Sequence, residues 1–219
     1  CYQQLCDGGW TGLAGDPEYG GMGMPKTLAS MYEEMLCSAD IAFSLYSGLT
    51  AGACVALNQH ADSETKATYL PKLYSGEWSG TMCLTESHAG SDLGIMRTQA
   101  TPLDDGRFSI SGSKIFITAG EHDLTSNIIH LVLAKLPDAP AGSRGISLFL
   151  VPKYRVDADG SIGAQNDIKV RALVEAITEA TIMLETTEKF IQKNGEYLEQ
   201  QEIDNTRNAM DALRSAIEA

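Results

Sequence analysis

The sequence predicts an α+β protein in three successive parts: a helical domain over residues 1–79, an antiparallel β domain over 80–167, and a helical hairpin over 168–219. Three observations point there. In the first part, apolar residues recur at three- and four-residue steps between glycine-rich connectors. The middle part is a series of short β-branched runs divided by turn residues. Beyond Asp167 the chain holds one glycine, Gly195, and no proline, whereas both punctuate everything before it.

Taken in order, "GWTGLAGDPEYGGMGMP" (Gly9 to Pro25) reads as loop, since its glycines and prolines do not sustain a helix. From Thr27, the positions Leu28, Met31, Met35 and Leu36 predict a helix with one buried face. The small and apolar stretch Asp40 to His60 predicts a more buried helix. Ser63 is placed to N-cap a third helix running through Leu70, with Pro71 and Gly76 near its end. After Gly80 the text turns to strands. "RFSISGSKIFIT" (Arg107 to Thr118) gives two alternating runs around Ser-Gly-Ser, and "IIHLVLAKL" and "GISLFLVPKY" are separated by "PDAPAGSRG". Close spacing with such punctuation predicts an antiparallel sheet or barrel. The missing βαβ alternation excludes a doubly wound nucleotide fold. In the tail, Leu173, Val174, Ile177, Ile182 and Leu184 form one stripe that stops near Asn194-Gly195. Ile203, Met210, Leu213 and Ile217 form a second. Together they predict an α-hairpin that packs on itself, on the preceding domain or on a partner.

Composition narrows the function. A net charge of −13 argues against a nucleic-acid binder, which needs a basic face to replace phosphate counterions. No apolar run is expected to approach the roughly 20 residues of a membrane span. The five cysteines (Cys1, Cys6, Cys37, Cys54, Cys83) form no CxxC pair and no metal spacing. Their apolar neighbours predict buried thiols in a reducing compartment. With no signal-like start, that gives a cytoplasmic expectation. Because the chain begins with Cys rather than Met, it is expected to be a fragment lacking its true N-terminus.

Several familiar chemistries are absent: there is no GxGxxG, Walker loop, HExxH or GxSxG. His60, His88, His122 and His130 lie apart without ligand spacing, so no metal site is expected and each is read as a surface or internally satisfied histidine. Glu33-Glu34 and Glu121-His122-Asp123 read as solvated polar residues. One stretch differs. "MCLTESHAGSDLG" (Met82 to Gly94) carries small residues and hydroxyls from a strand into an open loop. Gly90 lets backbone N–H groups approach a flat or phosphorylated ligand, and Ser91 offers a donor. On these residues alone an ordinary turn remains the competing reading.

"MCLTESHAGSDLGIMRTQA" followed by "GSKIFITAG" resembles the flavin-contacting signature of the acyl-CoA dehydrogenase family, a T-E-x-x-x-G-S-D segment with an aromatic-Ile-Thr segment downstream. "EYGGMGMP", "KATYLPKLYSGEW" and the text from Ala119 to Lys153 are similar to the branch acting on methylthioalkanoyl-CoA and related thioesters. The resemblance runs from Cys1 to about Asn166. It implies an N-terminal helical domain, a β middle domain and a C-terminal helical bundle, with FAD between the last two. It also implies an acyl-CoA substrate, a homo-oligomeric full-length protein and a glutamate base in the bundle.

Carried onto this sequence, the resemblance implies that Met82, Cys83, Leu84, Thr85, Gly90 and Ser91 contact the flavin and its pyrophosphate. Phe116, Ile117 and Thr118 line the ring, with Phe116 where many relatives have tryptophan. Thr85 bonds the pyrimidine side, Thr118 lies near N5, and Ser91 also touches the acyl-CoA. No replacement for the base is found, since Glu86 lies in the flavin segment and reads as structural. The resemblance therefore implies a truncated β domain and no turnover by this chain alone. Acyl chain length and the electron acceptor, including oxygen as in related oxidases, stay open.

The text from Val170 is similar instead to the C-terminal helical lid of the seventy-kilodalton heat-shock chaperone family, on "TEKF", "KNGEYL" and "MDALRSAIEA". Two families would then meet near Asn166, inside a sheet rather than at a linker. That predicts an engineered or misassembled join whose two parts do not unfold as one cooperative unit. An interaction hairpin carried on an inert enzyme fragment is the alternative function.

Overall fold

The computed structural model describes residues 1–157, 159–168, 173–194 and 200–218, and divides into two units, Cys1–Ile168 and Lys169–Ala219. The first unit opens with α1 (Tyr2–Asp7), α2 (Lys26–Ala39), α3 (Ile41–His60) and α4 (Ser63–Tyr74). Asp40 caps α3 by accepting from the Phe43 N–H at 3.0 Å, and Asp62 caps α4 through the Thr65 N–H at 2.7 Å. The α4 cap is thus Asp62 rather than Ser63. The helix also runs through Pro71 to Tyr74, because Leu73 and Tyr74 are buried and hold its last turn. Between α1 and α2 the glycine-rich stretch folds back on itself. A Cβ on Gly21 would lie 2.1 Å from the Gly15 carbonyl carbon, so only glycine permits that approach.

Two helical expectations need correction. The stripe predicted to be the buried face of α2 is exposed: Leu28 by 45%, Met31 by 53% and Met35 by 70%. This helix lies against α3, stacks Tyr32 on Trp10, and buries none of its residues. The expectation that no apolar run reaches membrane length also fails, since α3 is long and apolar enough by length and composition. It is nonetheless the central helix of its unit, lying against α2, α4 and β1. Its apolarity is accounted for by that position.

Seven strands follow: β1 (Trp78–Cys83), β2 (Gln99–Pro102), β3 (Phe108–Ser111), β4 (Asn127–Lys135), β5 (Ile146–Pro152), β6 (Tyr154–Val156) and β7 (Ile162–Gln165). The main sheet is mixed, not antiparallel as predicted. β1 pairs with β4 in parallel, with Thr81 opposite His130, while β5 runs antiparallel to β4 and β3 antiparallel to β2. The chain between β1 and β4 crosses over through β2 and β3, and that longer return makes the parallel pairing possible. The second run of "RFSISGSKIFIT" is not a strand. Residues 112–118 take no regular structure and carry positive φ at Phe116.

Residues on β1 alternate between two environments. Trp78 and Gly80 face the helices: Trp78 is fully buried with Cys54, Leu57, Leu70, Leu73, Tyr74 and Ile129. Ser79, Thr81 and Cys83 face the other way. Of the cysteines, Cys54 and Cys83 are buried as expected, while Cys1 and Cys37 are exposed and Cys6 is half-buried; all five are free thiols.

The second unit holds α5 (Leu173–Asn194) and α6 (Gln200–Glu218), whose Leu184, Ile191, Ile203 and Met210 form a core with Leu213. The side chains of Leu173, Val174, Ile177, Ile182 and Ile217, also predicted to be apolar contacts, lie outside the described residues.

Helix α3 approaches β1 closely: a Cβ on Gly80 would come within 2.5 Å of the Ala53 methyl. We expect Gly80→Ala to cost about 1–3 kcal/mol in urea denaturation, with Ala53→Gly in the same chain recovering part of the loss.

Candidate functional site

Beyond Cys83 the chain leaves β1 and turns sharply. The Glu86 N–H donates to the Ala89 carbonyl at 2.9 Å and the Ala89 N–H returns to the Glu86 carbonyl at 3.0 Å, closing a tight turn over Ser87 and His88. The turn delivers Gly90 and Ser91 to the surface, where both are exposed. Asp92 then accepts from the Gly94 N–H at 2.9 Å and starts a 3-10 turn over Leu93–Ile95. Gly90 stands beside Thr85, whose methyl would be 3.7 Å from an added Cβ.

The segment 114–118 runs alongside this turn. The Ile115 N–H donates to the Thr85 carbonyl at 2.9 Å, and the Thr81 hydroxyl donates to the Thr118 carbonyl. Leu84, Thr85, Gly90, Ser91, Ile117 and Thr118 are thereby gathered in one region. Phe116 sits at its rim with φ of +57° and is 87% exposed. A non-glycine residue in the left-handed region costs about 1–3 kcal/mol unless its surroundings impose it. A strained backbone that displays an aromatic face to the outside suits a flat ring ligand. Two predicted contacts are not gathered: Cys83 is buried with its thiol 3.7 Å from His130 Nδ1, and Met82 is half-buried on the helix-facing side of β1.

Under the turn lies Glu86, 4% exposed. Its Oε1 accepts from the Thr98 N–H (3.0 Å), the Thr98 hydroxyl (2.5 Å) and Lys114 Nζ (2.9 Å), and its Oε2 accepts from the Arg97 N–H (2.8 Å). Burial by itself would raise this carboxyl. The bonds from Thr98, Arg97 and Lys114 outweigh it and hold Glu86 down to about 2.

On the far face of β1, Glu121 and Asp123 are exposed as expected, while His122 joins a polar network. The Leu124 N–H donates to His122 Nδ1 at 3.2 Å, which leaves the ring proton on Nε2. That N–H donates to Ser79 Oγ (3.1 Å), Ser79 donates to Thr125 Oγ1 (3.1 Å), and Thr125 donates to the Asn127 carbonyl (2.9 Å). His122 therefore gives a proton to Ser79 rather than taking one, and the pair is not a nucleophilic dyad. Its ring also stands edge-on to Tyr46, with centroids 5.1 Å apart. His130, expected to be satisfied, is buried with Nε2 unpartnered, and burial pushes its imidazole down to about 4. Among the described residues no cluster of acids, cysteines and histidines could hold a metal.

Residues 1–77 match the family described as acyl-CoA dehydrogenase, N-terminal domain, and residues 81–170 that described as acyl-CoA dehydrogenase, middle domain. These residues carry the first two domains of the acyl-CoA dehydrogenase family. The 3-methylmercaptopropionyl-CoA dehydrogenase of Ruegeria pomeroyi is 52% identical over 167 residues, covering 76% of this chain and 28% of that protein. A butyryl-CoA dehydrogenase of Syntrophomonas wolfei is 46% identical over 168 residues, covering 76% of this chain and 27% of that protein. The chain thus spans under a third of either relative. Among solved structures, butyryl-CoA dehydrogenase from Megasphaera elsdenii superposes with a TM-score of 0.61 at 30% identity, over 68% of this chain and 39% of that one. An acyl-CoA dehydrogenase complexed with FAD from Bacillus anthracis gives 0.61 at 27% identity, over 70% and 26%.

Within this acyl-CoA dehydrogenase middle domain, sequence reasoning missed Lys114 and Thr98, which both bond Glu86 Oε1. Their only signal was a buried acid in need of partners, and the acid's burial was not visible in the sequence.

Glu86 and His130 both bind protons more tightly in the unfolded chain than in the folded one. The stability each contributes is complete above the unfolded value and is lost as pH falls: for His130 between 6.5 and about 4, for Glu86 between 4.5 and about 2. Each amounts to roughly 3 kcal/mol by linkage. His130→Phe should shrink the upper step of urea-denaturation stability against pH, leaving the part from His122, whose imidazole is also lowered by burial, and leaving the lower step in place.

Proposed function

We propose that residues 1–168 form the flavin-side floor of an FAD-dependent acyl-CoA dehydrogenase that removes the α and β hydrogens of an acyl-CoA thioester. The observation carrying this is the juxtaposition of Leu84–Thr85, Gly90–Ser91 and Phe116–Thr118 beside an exposed aromatic ring on strained backbone. In this reading the backbone at Leu84–Thr85 and the Thr118 hydroxyl hold the edge of the isoalloxazine, and Phe116 covers part of one face. Gly90 and Ser91 meet the pyrophosphate, and Ser91 also meets the acyl-CoA. When bound, FAD supplies the two-electron acceptor for the hydride leaving the β-carbon. The floor has to be rigid, because misplacement of reacting groups by about 1 Å can cost about 100-fold in rate. The similarity to a 3-methylmercaptopropionyl-CoA dehydrogenase supports a short, sulfur-bearing thioester as substrate.

Neither carboxylate of the signature suits the α-proton. Glu86 has both oxygens occupied and is held ionised at about 2, and Asp92 is spent on the Gly94 N–H. A general base works best with a value near the operating pH. The family resemblance implies that the base, and the homo-oligomeric contact, belong to a C-terminal helical bundle. The free thiols, including exposed Cys1 and Cys37, fit a cytoplasmic setting.

Adding FAD to the 219-residue chain should raise the melting temperature reported by tryptophan fluorescence, as ligand linkage requires, whereas added adenosine monophosphate should not. The same sample should form no enoyl-CoA from a short acyl-CoA. Turnover by the pure chain, or no response to FAD, would overturn the assignment.

A further inference from the structure

Glu86 and Lys114 carry no role in the flavin contacts proposed above, yet both are buried: Glu86 is 4% exposed and the Lys114 side chain 9%. A buried ion pair is expensive to desolvate and is often replaced by apolar residues without loss of stability. Here the pair is bonded to Leu84 and adjoins the other two segments of the cradle along the chain. Lys114 Nζ donates to Glu86 Oε1 at 2.9 Å and to the Leu84 carbonyl at 3.2 Å. One residue on, the Ile115 N–H reaches the Thr85 carbonyl; two residues on, Phe116 departs at φ +57°. Glu86 closes, through its own backbone, the turn that presents Gly90 and Ser91. Its carboxylate holds the Arg97 and Thr98 N–H groups on the opposite side. The chain entering Lys114 is pressed against the same knot, since a Cβ on Gly112 would fall 2.3 Å from Thr98 Oγ1. His88 completes the set, with Nε2 3.5 Å from Glu86 Oε2 while it donates to the Ile95 carbonyl at 3.2 Å.

We infer, resting on the flavin reading above, that the Glu86–Lys114 pair is a positioning clasp that holds Leu84–Thr85, Gly90–Ser91 and Phe116–Thr118 in one register and so sets how tightly the cradle takes FAD. Neither side chain touches the ligand in this arrangement. The pair acts through backbone: one charge grips the Leu84 carbonyl, and the other grips the N–H groups that fix the turn's far side. Removing either charge releases both segments together, because the partner left behind is a buried charge without its counter-ion.

The test is a titration of the full 219-residue chain with FAD, followed by flavin fluorescence and the shift of the flavin absorption band. The proteins are the wild type, Lys114→Met, Glu86→Gln, the double variant and Lys114→Arg. Each charge-removing single variant should bind FAD about tenfold more weakly and lose the absorption shift. The double variant should be no worse than either single, because both changes open the same clasp. Lys114→Arg, which keeps the charge, should recover most of the affinity. Unchanged affinity in both singles would overturn the clasp, and so would a double variant weakened by roughly the product of the two, which would mean separate actions. Absence of FAD binding by the wild type defeats the flavin reading and the clasp with it. Wild-type binding with unaltered variants defeats the clasp alone. Should Lys114→Met or Glu86→Gln fail to fold, Thr98→Val removes one hydroxyl bond to the carboxylate and keeps the shape. Affinity about threefold weaker together with faster amide exchange at Ile115 supports the clasp, and no change in either overturns it.

Discussion

The close approach of α3 to β1 sets the geometry of everything else in residues 1–168. Gly80 lets the helix settle until Ala53 nearly fills the missing Cβ position, and the Gly80 N–H donates to Thr50 Oγ1 at 3.0 Å. That contact buries Trp78 on one face of the strand and leaves Ser79, Thr81 and Cys83 to face the other. The strand is thus apolar toward the helices and polar toward the loop that follows residue 118. Each hydroxyl on the polar side fixes a different part of that loop, Thr81 at Thr118 and Ser79 at His122 and Thr125. The cradle is consequently an extension of packing that begins at Ala53, some thirty positions before Thr85 in the chain.

Much of this was legible in the sequence, and the failures have physical reasons. The helices and β4 and β5 were readable because their apolar periods are long. The parallel pairing of β1 with β4 was not, since no local pattern reports which strand a distant run will join. On α2 the period was real, but Leu28, Met31 and Met35 stay uncovered in this chain: periodicity marks a face suited to burial and does not say what buries it. Residues 112–118 alternate like a strand, yet Lys114 turns inward to an acid and Phe116 adopts positive φ, two tertiary demands that override β-propensity.

The site was legible through family resemblance more than through physics. Thr85, Gly90, Ser91 and Phe116–Thr118 are placed together, and no spacing rule links residue 85 to residue 118. Cys83 shows the limit of carrying residues over by alignment, because its side chain points to His130 and only its backbone remains available to a ligand. Of the polar residues that are most constrained, Glu86 reads as structural in the sequence, whereas His122 and His130 read as solvated or internally satisfied. Burial separates them from solvated neighbours of the same type, and burial of a polar residue is what a sequence states least directly.

The account's central claim is that the segments around residues 85, 90 and 117 together form a flavin-binding surface. Two-dimensional amide NMR of the isotopically labelled chain, recorded with increasing FAD, tests this most directly. The account predicts that the shifted resonances cluster at Leu84–Thr85, Gly90–Ser91 and Phe116–Thr118, with those of Gln200–Glu218 unmoved. Shifts confined to the tail or scattered over the helices, with the three segments silent, would contradict it.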